Sequence, residues 1–316
     1  MNKALISRFL LVVLTIILIA GFSIWTTKKQ HQTPGLNQQY YRIVVPSVPD
    51  TLSFAGEPVP LDLFYVKEAL DRELSVNTYW HSSTLQLIRK SPRWFPLMDS
   101  ILKKNNIPSD FKYLCVMESG MENVVSPSGA TGFWQLLKGT AIDYGLEVNK
   151  EVDERYHVVK STNAACKYLQ KSYDKYHNWT LVASSYNAGR KRIDDLLQTQ
   201  KSDSYYNLLV PDETSRYVYR ILAFKLIFEN PEKFGFYLEP DDFYQPVPVY
   251  AVRVKGKIDS WADFAKNYGL SYKLLKYFNP WLRQPYLKNK KNKKYTLMIP
   301  EPPYNSTYKR GSVSGN

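Results

Sequence analysis

The stretch Tyr113-Leu114-Cys115-Val116-Met117-Glu118-Ser119-Gly120 constrains this chain most, because an apolar run ends there on a carboxylate, a hydroxyl and a glycine. That spacing predicts a helix with one buried face, and Gly120 suits the left-handed residue that stops it. Glu118 is thereby delivered to the helix C-terminus, where the negative end of the helix dipole and partial loss of water both disfavour its charged form. A carboxyl that keeps its proton near neutral pH is what general acid catalysis needs. The plainer reading of the same residues is a surface glutamate at a helix end, since such positions are commonly charged.

Around that helix the chain reads as largely helical. Helical patterning runs from Leu61 to Lys104, and a glycine-rich loop after Glu118 leads to Gly132 and a short helix carrying Gln135. Ala164, Tyr168, Leu169, Tyr173 and Tyr176 mark one apolar stripe, with the three tyrosines read as core. Leu181 to Ala188 forms a shorter buried helix, and Tyr217, Val218, Ile221, Phe224 and Ile227 mark a further stripe halted before Pro231. After Pro246 the texture changes. Val247 to Val254 reads as a strand, Asp259 to Tyr268 and Tyr272 to Phe278 as two short helices, and Tyr295 to Ile299 as a closing strand.

A length of 316 residues suggests about two domains. The formal charge of +13 points to an anionic partner or to a merely soluble surface. No nucleic-acid motif has useful spacing, and the lysines cluster only from Lys288 to Lys294, so no nucleic acid is expected. Cys115 and Cys166 both fall in predicted helices and read as buried thiols. His31, His81, His157 and His177 have no ligand-like spacing, so no metal and no cofactor are expected. At the N-terminus, Lys3 and Arg8 precede the apolar run Phe9 to Trp25, with Lys28 and Lys29 behind it. Residues 1–29 are therefore expected to be an uncleaved membrane anchor, with a cleaved signal peptide as the alternative, followed by a polar tether over 30–53.

Glu118 also keeps particular company. Ser126-Pro-Ser-Gly-Ala-Thr-Gly132-Phe-Trp134-Gln135, Asp153-Glu-Arg155, Ser185-Tyr186-Asn187-Ala-Gly189 and Glu213-Thr-Ser-Arg216-Tyr217-Val218 follow it in order. Together these resemble the catalytic domain of the family 1 lytic transglycosylases, the soluble-lytic-transglycosylase or goose-lysozyme-like group, and within it the membrane-bound lytic murein transglycosylase D subgroup. Gly269-Leu-Ser271, Asn279-Pro280 and Leu297-Met-Ile-Pro300 resemble a LysM module, although Gly256-Lys-Ile-Asp-Ser-Trp261 replaces its usual Gly-Asp-Thr-Leu.

The resemblance implies a mainly α protein. A lysozyme-like all-helical catalytic domain at 54–240 would be followed by a small βααβ LysM-like module at 246–301 and a flexible tail at 302–316. It implies a cell-envelope protein, inner-membrane-anchored with its body in the periplasm, acting on peptidoglycan glycan strands. Most glycosidases use two carboxylates, whereas here only Glu118 has the right setting. Glu122 lies in a loop, and Glu154 sits beside Arg155 in what reads as a structural ion pair.

On the resemblance, Glu118 protonates the β-1,4 oxygen between N-acetylmuramic acid and N-acetylglucosamine. It then draws the proton from the C6 hydroxyl, closing a 1,6-anhydro ring. Ser119 is expected near the acid or the acetamido group, and Gln135 reaches into the cleft. Tyr186 and Asn187 face the muramic acid ring and Glu118, while Tyr217 either lines the groove or belongs to the helix core. A lysozyme-like hydrolase and a non-catalytic peptidoglycan-binding scaffold remain as alternatives.

Overall fold

A computed structural model describes residues 43–305. The expected anchor at 1–29 and most of the tether lie outside the described residues, as does the tail beyond 305. Among the described residues, no helix is long and apolar enough to cross a membrane.

A body that begins at Pro46 opens with a small hairpin, β1 (Ser53–Phe54) against β2 (Glu57–Pro58). Two long helices follow, α1 (Phe64–Tyr79) and α2 (His81–Lys104). In α1 the residues facing inward recur at helical spacing, Val66, Leu70, Glu73, Leu74 and Asn77. The short α3 (Phe111–Ser119) carries the Glu118 motif, and α4 (Lys138–Asp143) follows the glycine-rich loop. Then come α5 (Val158–Tyr176), α6 (Trp179–Ala188), α7 (Arg190–Gln200) and α8 (Asp212–Glu229).

Both α1 and α3 pack along α8, while α5 packs on α2 and α6. One apolar core joins them, with Phe111, Leu114 and Cys115 of α3 fully enclosed. At roughly 25 cal/mol per Å² of apolar surface removed from water, burying such large side chains is what holds a nine-residue helix too short to persist alone. Both cysteines are buried and free, as expected.

The C-terminal part is the expected βααβ unit. Strand β3 (Val249–Lys255) pairs antiparallel with β4 (Lys294–Pro300), in a register running from Val249 opposite Pro300 to Lys255 opposite Lys294. Between them lie α9 (Trp261–Asn267) and α10 (Tyr272–Phe278), capped by the hydroxyls of Ser260 and Ser271. The described residues are thus mainly helical with two small two-stranded sheets.

The unit does not hang free. Its apolar core takes in Val152 and Tyr156 from the helical domain, and the connecting segment is tied back to α2. There the Tyr244 N–H donates to the Arg89 carbonyl at 2.8 Å, and the Arg93 side chain donates to the Gln245 carbonyl at 3.0 Å.

Candidate active site

Helix α3 ends where the sequence indicates. Gly120 has φ 61°, and its N–H donates to the Val116 carbonyl at 2.8 Å. A side chain there would be strained, and its Cβ would come within 2.9 Å of Leu87. Glu118, one turn-end earlier, accepts a hydrogen bond from the Tyr217 hydroxyl at 2.5 Å. Burial pushes the Glu118 carboxyl up to about 7; the Tyr217 bond opposes this, the Glu213 charge adds to it and the Arg220 charge opposes it. Tyr217 is only 4% exposed within α8, and it is in direct contact with the acid.

The segment after α3 differs from expectation. Gln135 lies on a turn spanning 132–135, closed by paired residues Thr131 and Leu136, and the short helix starts only at Lys138. The reason is local, because Gly132 (φ 81°) and Gln135 (φ 45°) both take left-handed backbone that a helix cannot contain. The Gln135 amide nitrogen donates to the carbonyls of Gly132 (2.8 Å) and Val124 (3.1 Å). Two carbonyl partners fix the orientation of the amide and leave its oxygen as the group able to meet a ligand.

The same turn supplies two carbonyls to the surroundings of Glu118. Ser119 donates its hydroxyl to the Phe133 carbonyl at 2.8 Å, and Tyr186 donates to the Trp134 carbonyl at 2.6 Å. The Ser119 proton is therefore committed to the protein, and its oxygen also accepts from the Glu122 N–H at 3.4 Å, which leaves one lone pair for substrate. Trp134 is fully enclosed and donates its indole N–H to Thr162 at 2.8 Å.

Tyr186 sits at the end of α6 with its hydroxyl far above the usual range, through burial first and the Glu118 charge second. Its neighbour Asn187 faces the start of α8, accepting from the Thr214 hydroxyl at 3.0 Å and donating to Glu213 at 3.4 Å. The structure thus brings Glu118, Tyr186 and Tyr217 together, with Ser119 next in the chain and bonded to the turn that also holds Tyr186. Gln135 sits on the adjoining turn, and Asn187 is linked through Glu213.

Three participants carried no site role in the sequence reading, although Glu213 stands in a quoted motif and Tyr168 in an apolar stripe. Glu213 and Arg220 both act on the Glu118 charge, and they lie on one stripe of α8 with Tyr217, at positions 213, 217 and 220. That spacing was a usable signal. Tyr168, read as core, meets Tyr186 edge-on at 5.2 Å and donates to the Ser185 carbonyl at 3.1 Å.

The other carboxylates are engaged elsewhere. Glu122 pairs with Lys90 at the surface. Glu154 does not pair with Arg155. Its partner is Lys160, while Arg155 is held by Asp153 at 2.8 Å, because the Asp153 carboxylate caps the turn at 154–156 and faces back along it. Glu73 is 1% exposed in α1 and binds Arg216 at 2.6 Å and Arg220 at 3.4 Å.

A groove of about 900 Å³ lined by Trp80, Met117, Gly120, Arg216, Arg220 and Tyr244 flanks the end of α3 without including Glu118. Among the described residues there is no group of three or more His, Cys, Asp or Glu that could hold a metal ion.

Residues 97–209 match the transglycosylase SLT domain, and residues 250–303 match the soluble lytic transglycosylase C-terminal LysM-like domain. The membrane-bound lytic murein transglycosylase D of Escherichia coli K12 is 29% identical over 239 residues, covering 73% of this chain and 51% of that protein. The protein of the same name from Escherichia coli O6:H1 matches equally. The chain thus spans about half the length of the curated relatives it matches.

Among solved structures, the 70 kDa soluble lytic transglycosylase of Escherichia coli matches at TM-score 0.42 and 17% identity, over 60% of this chain and 32% of that one. An inactive mutant of the lytic transglycosylase Slt of Pseudomonas aeruginosa matches at TM-score 0.38 and 17% identity, over 58% and 36%. The sequence matches bear out the resemblance to the lytic transglycosylases read from the Glu118, Gln135 and Tyr186-Asn187 motifs.

Proposed function

We propose that this chain is a peptidoglycan lytic transglycosylase of the cell envelope, with Glu118 as its one acid–base group. The observation that carries the reading is a buried carboxyl, raised to about 7, whose ionised form has a tyrosine hydroxyl ready to receive it. Near neutral pH such a group exists in both protonation states, so it can give a proton and take one back.

In the first half-reaction the protonated Glu118 donates to the β-1,4 glycosidic oxygen as the bond to the muramic acid C1 breaks. Positive charge develops on the sugar ring, and the substrate's own N-acetyl oxygen is placed to meet it. The Glu118 carboxylate left behind is held by the Tyr217 hydroxyl and by the nearby positive charge of Arg220. In the second half-reaction that carboxylate removes the proton of the C6 hydroxyl, and O6 closes on C1 to give the 1,6-anhydro product with Glu118 reprotonated.

The Tyr186 hydroxyl is anchored to Trp134, so its ring is fixed in place as a wall for the sugar, and the free Gln135 amide oxygen is available to accept a sugar hydroxyl. The anchor at 1–29 would hold the enzyme on the inner membrane with its body in the periplasm. The basic surface suits a polymer whose stem peptides carry carboxylates.

One observation favours a hydrolase as the second reading. Glu213 is exposed at the start of α8 and acts on the Glu118 charge, so it is a second carboxylate that could orient water. Mass spectrometry of products released from purified sacculi separates the two, since an anhydro end lacks one water relative to a reducing end. Anhydro products that vanish in Glu118→Gln are expected, whereas reducing-end products would replace this proposal with hydrolysis.

A further inference from the structure

We infer that the C-terminal βααβ unit is a positioning element of the active site, acting through the 151–156 arm on the turn that carries Phe133, Trp134 and Gln135. This rests on the function proposed for that site. The arm is gripped from both sides.

Toward the βααβ unit, the contacts run along the backbone. Val152 pairs with Leu282 as an isolated strand bridge, the Asp153 N–H donates to the Trp281 carbonyl at 2.9 Å, and the Arg283 N–H donates to the Glu151 carbonyl at 2.8 Å. The Trp281 ring stacks on His157 at 5.9 Å and on Tyr295 at 5.7 Å, and the Arg283 guanidinium lies 4.0 Å over the Tyr156 ring. Val152 and Tyr156 belong to the unit's own apolar core, so it cannot swing away without exposing that core to water. From behind, the Lys276 ammonium donates to the carbonyls of Leu282 and Gln284 and stiffens the gripping segment.

Toward the active site, the arm is joined to the turn just as closely. Arg155, clamped by both oxygens of Asp153, donates to the Gly129 carbonyl at 2.9 Å and the Leu136 carbonyl at 3.2 Å, the two ends of the loop. The Arg155 carbonyl lies so near Gly132 that a Cβ there would sit 2.1 Å from it. From that turn, the Phe133 carbonyl receives Ser119, the chain neighbour of Glu118, and the Trp134 carbonyl receives Tyr186. The path from Trp281 to the neighbours of Glu118 is therefore made of hydrogen bonds to backbone carbonyls and one buried ion pair. Such links move together, because each buried polar group loses its partner if its neighbour shifts.

The test uses the full chain with Trp281→Ala, Trp281→Phe as the conservative rescue, and the exposed Arg283→Ala. The readouts are initial rates of anhydro product, sacculus binding, thermal melting and the Glu118 carboxyl titration by carbon NMR. Trp281→Ala should lower kcat by about tenfold or more with KM changed less than about twofold, since ångström-scale misplacement is costly in catalysis. Water admitted beside Glu118 should lower its pKa, moving the basic limb of the rate profile down. Facing Glu118, Cys115 on α3, Tyr186 on α6 and Glu213, Tyr217 and Arg220 on α8 all stay unchanged.

Trp281→Phe should restore both readouts. Weaker sacculus binding with unchanged kcat and titration would overturn the inference in favour of a glycan-binding module, as would folded variants with wild-type kinetics. If Trp281→Ala does not fold, Arg283→Ala decides on the same readouts. If the wild type releases no anhydro product, the proposed function fails, while the Glu118 titration still decides the coupling.

Discussion

Glu118 holds its proton because burial outweighs the partners that favour its charge, and this has consequences for stability as well as for rate. Its folded-state pKa of about 7 lies above the ordinary value of 4.5, so the folded protein binds this proton more tightly than the unfolded chain. Stability from this group is fully present below about pH 4.5 and is lost as pH rises through 7. Glu118→Gln should therefore reduce activity by about 10²–10⁴-fold. It should also raise stability at pH 8 by on the order of 3 kcal/mol, visible as a several-degree rise in Tm by calorimetry that disappears at pH 4. An equal Tm gain at both pH values would show that burial of the charge is not its cause. Tyr217→Phe removes a bond made to the ionised form, so the pKa should rise further. The basic limb of kcat/KM should move up by about one pH unit, and a downward move would contradict the geometry.

Among the elements, α8 and the 132–135 turn do most to assemble the site. Helix α8 presents Glu213, Tyr217 and Arg220 along one stripe, and its position against α1 is held by Glu73 with Arg216 and Arg220. Glu73→Gln should destabilise the protein by about 2 kcal/mol, because two arginines lose a buried partner but stay partly hydrated. Urea unfolding measures this, and an unchanged midpoint would mean that the arginines find water at no cost. In the turn, Gly132 cannot carry a side chain, for it has φ 81° and faces the Arg155 carbonyl. Gly132→Ala should displace the turn, costing about 1–3 kcal/mol of stability and a larger share of kcat than of substrate binding. A crystal structure of that variant with the Ser119 to Phe133 and Tyr186 to Trp134 bonds intact would refute this account of the turn.

Taken as one body, the helical domain and the βααβ unit share an arm of chain and part of an apolar core. The net charge of +13 is spread over the chain, with Lys290, Lys291 and Lys293 lining a 440 Å³ groove at the seam beside Glu147 and Glu151. Exposed charges separated by more than about 8 Å are screened at physiological salt. Sacculus binding by the body should therefore weaken steadily between about 0.05 and 0.5 M salt, while the Glu118 titration, set mainly by burial, should hardly move. Salt-independent binding would assign the affinity to sugar contacts instead.

The helical class, the helix stopped by Gly120, the raised acid and the βααβ texture were all legible along the chain, because each depends on residues within a few turns of one another. Apolar periodicity, a left-handed glycine and a carboxyl at a helix end carry their physics locally. Other features were not legible. Gln135 reads as helical until the left-handed backbone at Gly132 and Gln135 is known, and Glu154 looks like the partner of Arg155 until the direction of the Asp153 carboxylate is known. The Tyr217 bond to Glu118 spans 99 positions, and the arm's grip on Trp281 and Leu282 joins residues well over a hundred positions apart. Such pairings arise only when distant segments are packed side by side. Burial then selects which polar groups must find each other, and no local pattern in the chain records that choice.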